Sequence, residues 1–113
     1  GFYTQKNDLA LLENQSQEIE IQRENFLFNQ NFIEIQQRND LEKIQNLIDK
    51  DNELIELRKN IKTASLAQLE NGVITTNDYL REVTAEEQAI LTKITHEIQY
   101  LLTQYNLKAQ LNN

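Results

Sequence analysis

The chain has 113 residues, of which only 39% are hydrophobic, and its formal net charge is −7 with an isoelectric point near 4.7. A chain of this length is one domain or one piece of a larger protein, and so small an apolar share argues against a self-contained core. An acidic surface repels phosphate backbones, and no cluster of Lys and Arg with interleaved aromatic residues is present, which argues against a nucleic-acid partner.

The first predicted element is an uninterrupted helix from about Thr4 to Glu70. The chain has no proline, and its single glycine beyond Gly1 lies after this stretch. Apolar residues recur along it every seven positions with one break, at Asp40, as in helices that pack lengthwise. A second row drifts beside the first, which predicts neighbours on more than one side. The first row is Leu12, Ile19, Phe26, Ile33, Leu47, Leu54 and Ile61, and the second is Ile21, Phe28, Ile35, Leu41, Ile48 and Ile55.

The helix is predicted to stop at Gly72 and to restart at once. Glycine suits the left-handed position that follows a helix, because it has no Cβ to clash, and Val73 can fold back onto the preceding turn. Thr75 to Asp78 then match the start of a new helix, with a hydroxyl that accepts from a backbone N–H and an acid in the first turn. Residues 71–75 are therefore predicted to form the tip of a hairpin.

A second helix is predicted from about Thr76 to Lys108. Its apolar residues recur at spacings of three, four or seven, and the short turn favours antiparallel packing of this helix on the first. The fold class is thus all-α, a long antiparallel helical hairpin or coiled coil with unequal arms, and residues 1–113 form one hairpin domain. The apolar residues of the second helix are Val83, Ile90, Ile94, Ile98, Leu101 and Tyr105.

The two arms differ greatly in length. At 1.5 Å per residue the first helix would reach roughly 100 Å and the second roughly 50 Å, so half of the first has no partner within the chain. Large apolar side chains in that half would each forgo about 1.5–3 kcal/mol of burial. We expect the isolated chain to self-associate through residues before about Asp40.

No catalytic constellation is visible in the sequence. His96 is the only histidine, and it lacks the second histidine four residues on that a helical zinc site needs, so we interpret it as an ordinary helix residue. Ser16 and Ser65 have no histidine beside them to act as a base. Cysteine is absent, and no apolar run approaches the length of a membrane span. We predict a protein that is not an enzyme and that needs no cofactor or metal.

Three stretches carry a resemblance to a known family. The segment ENGVITTNDYL, Glu70 to Leu80, resembles the hairpin tip of the TolC family of outer membrane efflux channels. The run YLLTQYNLK, Tyr100 to Lys108, resembles the rising helix that closes the second repeat of these channels, and ELRKNIKTASLAQLENG resembles the end of the descending helix in the Bacteroides-type form. The resemblance is specific from about Ile55 onward, and before it only the helical character agrees.

The resemblance implies a function. Such a chain would be a periplasmic fragment of a homotrimeric channel in the outer membrane of a Gram-negative bacterium, and the missing partner of its long arm would be the upper short helix of the repeat. The channel joins a membrane-fusion adaptor, which connects it to an inner membrane pump. Asp78 matches an aspartate that faces the tunnel near its aperture, where three carboxylates would favour cations. The positions that match the adaptor contact are Asn71, Gly72, Val73, Ile74 and Thr75.

The chain also departs from the family pattern. Arg81 stands where a second aspartate of the ring is found, and Leu69 and Ile74 replace the tyrosine and arginine of the gate network. One alternative is the adaptor's own hairpin, whose tip carries an arginine, a leucine and a serine where this chain has Ser65, Leu69 and Thr76. Another alternative is a structural, dimerising coiled coil, for which the seven-residue repeat alone would be sufficient.

Overall fold

The structure is a computed structural model that describes residues 1–112. Two helices make up almost all of it, α1 over Phe2–Glu70 and α2 over Thr76–Leu111, with the turn 71–75 between them. No strand occurs among residues 1–112. The predicted fold class, an all-α helical hairpin with unequal arms, is confirmed. The structure begins the first helix two residues earlier than predicted and ends the second three residues later.

The chain divides into two compact units, and the first covers residues 1–36. It consists of one stretch of α1 in which almost every side chain is exposed. Leu12, Ile19 and Phe26 keep 61%, 65% and 58% of their surfaces exposed. The apolar repeat of this unit is therefore largely exposed.

The second unit begins at Gln37 and contains the rest of α1 together with α2. The two helices run antiparallel, because Asp51 pairs with His96 while Lys62, nearer the turn, pairs with Glu86. Counted from Val73, Asp51 lies 22 residues before the turn and His96 lies 23 after it. The helices thus pair in register around the tip.

The contact between the helices is unusually polar. Four residues are buried in the whole described chain, and they are Asp51, Ser65, Ala89 and Leu107. Two of the four are polar and one is alanine, so this interface gains little from burying large apolar groups. We call the residues Asp51, Arg58, Lys62, Glu82, Glu86 and His96 the polar seam.

Helix α1 covers the apolar row of α2 only in part. Val83 is half-buried, whereas Ile94, Ile98 and Leu101 remain 45%, 52% and 62% exposed. The face turned toward α1 contains Ala89, which is buried, and His96, which pairs with Asp51. Apolar periodicity marks a face that some neighbour would cover, and α1 covers only part of this face of α2.

Neither helix has the length of uncharged, apolar sequence that a bilayer crossing requires, over the residues that the structure describes.

Candidate functional site: the hairpin tip

Helix α1 ends in a Schellman motif. The Val73 N–H donates to the Gln68 carbonyl at 2.8 Å, and the Gly72 N–H donates to the Leu69 carbonyl at 3.0 Å. Together these two bonds satisfy carbonyls that the end of a helix would otherwise leave without partners. The backbone of Val73 thus folds back onto the last turn, as its sequence position predicts.

Gly72 occupies the left-handed position of this motif, with φ of +70°. It is the only residue with a positive φ among those described. A Cβ added there would meet no atom within 4 Å, so the requirement for glycine comes from the backbone conformation and not from crowding. The open space beside Gly72 also lets another molecule approach its backbone closely.

Helix α2 begins with a capping box. The Thr75 hydroxyl accepts from the Asp78 backbone N–H at 3.2 Å, and the Asp78 carboxylate accepts from the Thr75 backbone N–H at 3.1 Å. Thr75 itself has the extended backbone of an N-cap, with φ of −84° and ψ of 164°. Two backbone donors at the start of the helix are satisfied reciprocally in this way. The two motifs fix both ends of the tip.

Asp78 is held in its charged form by this arrangement. Hydrogen bonds from the backbone and the side chain of Thr75 lower the pKa of its carboxyl group below the ordinary value of 3.8, and the nearby positive charge of Arg81 adds a smaller contribution. The carboxylate also lies in the first turn of α2, where it faces the positive end of the helix dipole. Asp78 is therefore an ionised capping residue at neutral pH.

The residues of the tip differ in exposure. Val73 presents 69% of its surface to solvent, although its backbone is tied into the turn. Asn71, Gly72 and Thr75 are also exposed, whereas Ile74 is half-buried. The tip thus combines a fixed backbone with an exposed apolar side chain, which is an arrangement that a partner can contact without rearranging it.

Sequence reasoning missed the role of His96. Its Nδ1 lies 2.5 Å from Oδ2 of Asp51, within hydrogen-bond distance, and the side chains are only 20% and 11% exposed. The signal available in the sequence was the nearly equal separation of the two residues from Val73, combined with the antiparallel pairing.

Two further ion pairs belong to the polar seam. Lys62 Nζ lies 2.9 Å from Glu86 Oε1, and Arg58 lies 4.0 Å from Glu82. The hydrogen bond to Glu86 raises the pKa of Lys62, and partial burial works against it. The second carboxylate oxygen of Glu86 is buried without a hydrogen-bond partner. Each of these pairs joins one residue of α1 to one residue of α2.

No group of three or more potential metal ligands occurs in residues 1–112. Comparison with known proteins gives no match to any family model, to any curated protein or to any solved structure.

Proposed function

We propose that this chain is a non-enzymatic segment of the periplasmic tunnel of a trimeric outer membrane efflux channel. Its tip, Asn71 to Thr75, docks a membrane-fusion adaptor that connects the channel to an inner membrane pump. The proposal rests on the resemblance of the tip and of α2 to the TolC family, together with the geometry of the turn.

One observation carries the proposal furthest. Two long helices meet at a turn whose ends are both satisfied internally, by the Schellman bonds of Val73 and Gly72 and by the capping box of Thr75. The turn needs no partner to form, yet it leaves Val73 exposed between the helix ends. This combination suits a docking tip, because a preformed contact surface avoids the cost of ordering a loop on binding.

Asp78 has two roles in this proposal. It caps α2 through Thr75, and in a trimer three copies would place carboxylates around the aperture. The lowered pKa supports the second role, since a ring of acids attracts cations only while it is ionised. Asp78→Asn in the full-length channel should weaken block by multivalent cations in single-channel recordings, and unchanged block would remove Asp78 from the aperture.

The docking role is tested by efflux in cells that produce the full-length protein. Val73→Arg places a charge on the exposed apolar position of the tip and should abolish export while the amount of folded protein stays the same. Gln99→Arg is the matched control, because it adds the same charge on an exposed position of α2 far from the tip. Normal export by the Val73→Arg protein would contradict adaptor docking at this tip.

Two other functions are alternatives to this proposal. The hairpin of the adaptor itself would have its tip against an outer membrane channel, and Ser65, one of its candidate contact residues, is buried in this structure. This burial argues against contact through Ser65. A purely structural coiled coil is the other alternative, and the exposed apolar repeat of residues 1–36 is the observation that favours it.

A further inference from the structure

Asn71 and Gly72 form the one Asn-Gly pair of the chain. The two residues lie in the turn between α1 and α2, and both are exposed to solvent. Every other asparagine up to Asn106 lies within one of the two helices. Asn71 is therefore the asparagine of this stretch whose backbone and side chain have left regular helix geometry.

An asparagine side chain reacts with the backbone that follows it when the two meet. Solvent hydroxide removes the proton of the next backbone N–H, and that nitrogen attacks the side-chain carbon Cγ. A new Cγ–N bond forms, the bond from Cγ to the side-chain nitrogen breaks, and ammonia leaves. Water then opens the cyclic imide at either carbonyl. Opening at Cγ gives aspartate, and opening at the main-chain carbonyl gives isoaspartate, whose backbone runs through Cβ and Cγ.

Gly72 makes this attack easier than any other residue would. A side chain on the residue after the asparagine crowds the approach of Cγ to the backbone nitrogen, and glycine has none. A Cβ added to Gly72 would meet no atom within 4 Å, so the surroundings of the pair are open as well. Solvent, which supplies the hydroxide and the water, reaches both residues.

The folded turn restrains the same reaction. The Gly72 N–H donates to the Leu69 carbonyl at 3.0 Å, and the Asn71 N–H donates to the Ala67 carbonyl at 3.1 Å. The Gly72 nitrogen attacks only when its bond to Leu69 opens. Bonds at a helix end open at a lower free-energy cost than bonds in the middle of a helix, so Asn71 is restrained less than Asn39 within α1.

We propose that Asn71 and Gly72 form a self-modification site, at which Asn71 cyclises onto the Gly72 nitrogen and hydrolyses to isoaspartate and aspartate. The Schellman bonds slow the reaction, and the isoaspartate product breaks them. This chemistry belongs to the chain itself and does not depend on the proposed docking role of the tip.

The isoaspartate product is incompatible with the turn for two reasons. Its longer backbone displaces the N–H groups of Gly72 and Val73 from the carbonyls of Leu69 and Gln68, to which they donate in the parent chain. It also puts a new carboxylate at the C-terminal end of α1, where the helix dipole is already negative. The modified tip is therefore less stable than the original one.

Peptide mass spectrometry of the folded chain, incubated at pH 8, tests the site. Conversion of the amide to an acid should be roughly 10-fold or more faster at Asn71 than at Asn39, which is also exposed. Urea should accelerate the reaction at Asn71, because it opens the turn. Asn71→Gln is the matched control and should stay unmodified at position 71, since its longer side chain closes a less favourable ring. Equal rates at Asn71 and Asn39, or a rate at Asn71 that urea does not raise, would overturn the proposal.

Asn71→Asp separates the effect of charge from that of the longer backbone. This variant carries the new carboxylate on a normal main chain. The isoaspartate form, separated by chromatography from the incubated parent, should melt at a lower temperature than Asn71→Asp in circular dichroism. Equal melting temperatures would contradict the loss of the Schellman bonds in the isoaspartate product.

Discussion

Gly72 adopts a φ of +70°, in the left-handed region that residues with a Cβ enter only at a cost. Because the space around it is open, Gly72→Ala should destabilise the hairpin by about 1–2 kcal/mol through backbone strain alone. Gly72→Asn should cost less, since asparagine tolerates this conformation better. Urea unfolding, monitored by circular dichroism, measures the free energy of unfolding of both variants. Equal stability of the alanine and glycine chains would mean that the turn has another conformation in solution.

The Asp78 carboxylate links the stability of the tip to pH. Its pKa is lowered in the folded chain, so its contribution is present above the ordinary pKa of 3.8 and is lost as the pH falls through the lower folded value. Asp78→Asn should therefore melt at a lower temperature than the parent at pH 7. This difference in melting temperature should shrink as the pH falls into strong acid.

The control for this pH dependence is Asp40→Asn, which removes an exposed acid of α1 far from either cap. Its difference from the parent should be small at pH 7. A difference for Asp78→Asn that stays constant from pH 7 to strong acid would show that the carboxylate does not stabilise the cap through its charge.

At the scale of the elements, the polar seam decides how α2 lies on α1. Removing one partner, as in Asp51→Ala or His96→Ala, leaves a largely buried polar group without its hydrogen bond and should cost about 1–3 kcal/mol. The double variant with leucine at both positions should be as stable as the parent or more stable, because neither position then buries an unpaired polar group. A double-mutant cycle in urea measures this coupling. If the stability loss of the double alanine variant equals the sum of the two single losses, a direct Asp51–His96 contact is contradicted.

Much of the fold could be predicted from the sequence because its signals are local. Gly72 marks the end of α1, and Thr75 and Asp78 mark the start of α2, through hydrogen bonds that span five residues or fewer. The absence of proline also allowed the long helix α1 to be predicted.

The facing surfaces of the helices could not be predicted in the same way. Hydrophobic periodicity finds the most apolar face of α2, which includes Ile94 and Ile98, but it does not say which neighbour covers that face. The face against α1 is held by His96 and Asp51, which lie 45 residues apart, so only the pairing of the helices brings them together. The residues of the tip were located from the sequence, and their partner stays a prediction.

At the scale of the whole molecule, the exposed apolar repeat of residues 1–36 predicts association of the isolated chain. Leu12, Ile19 and Phe26 are all more than half exposed. Phe26→Glu with Ile19→Glu should weaken the association formed through this unit roughly 10-fold or more, because two apolar contacts are lost. Light scattering across a micromolar concentration series measures it. A strictly monomeric mass for the parent chain at high micromolar concentration would contradict the prediction.

The most direct test of the central claim is site-specific photo-crosslinking from Val73 in the full-length protein in its own cells, with the captured protein identified by mass spectrometry. Val73 is the most exposed apolar side chain of the tip, so a docked partner must lie within reach of it. We predict capture of the hairpin of a periplasmic adaptor. Capture of an outer membrane channel would instead make the chain an adaptor, and capture of another copy of itself alone would contradict docking at this tip.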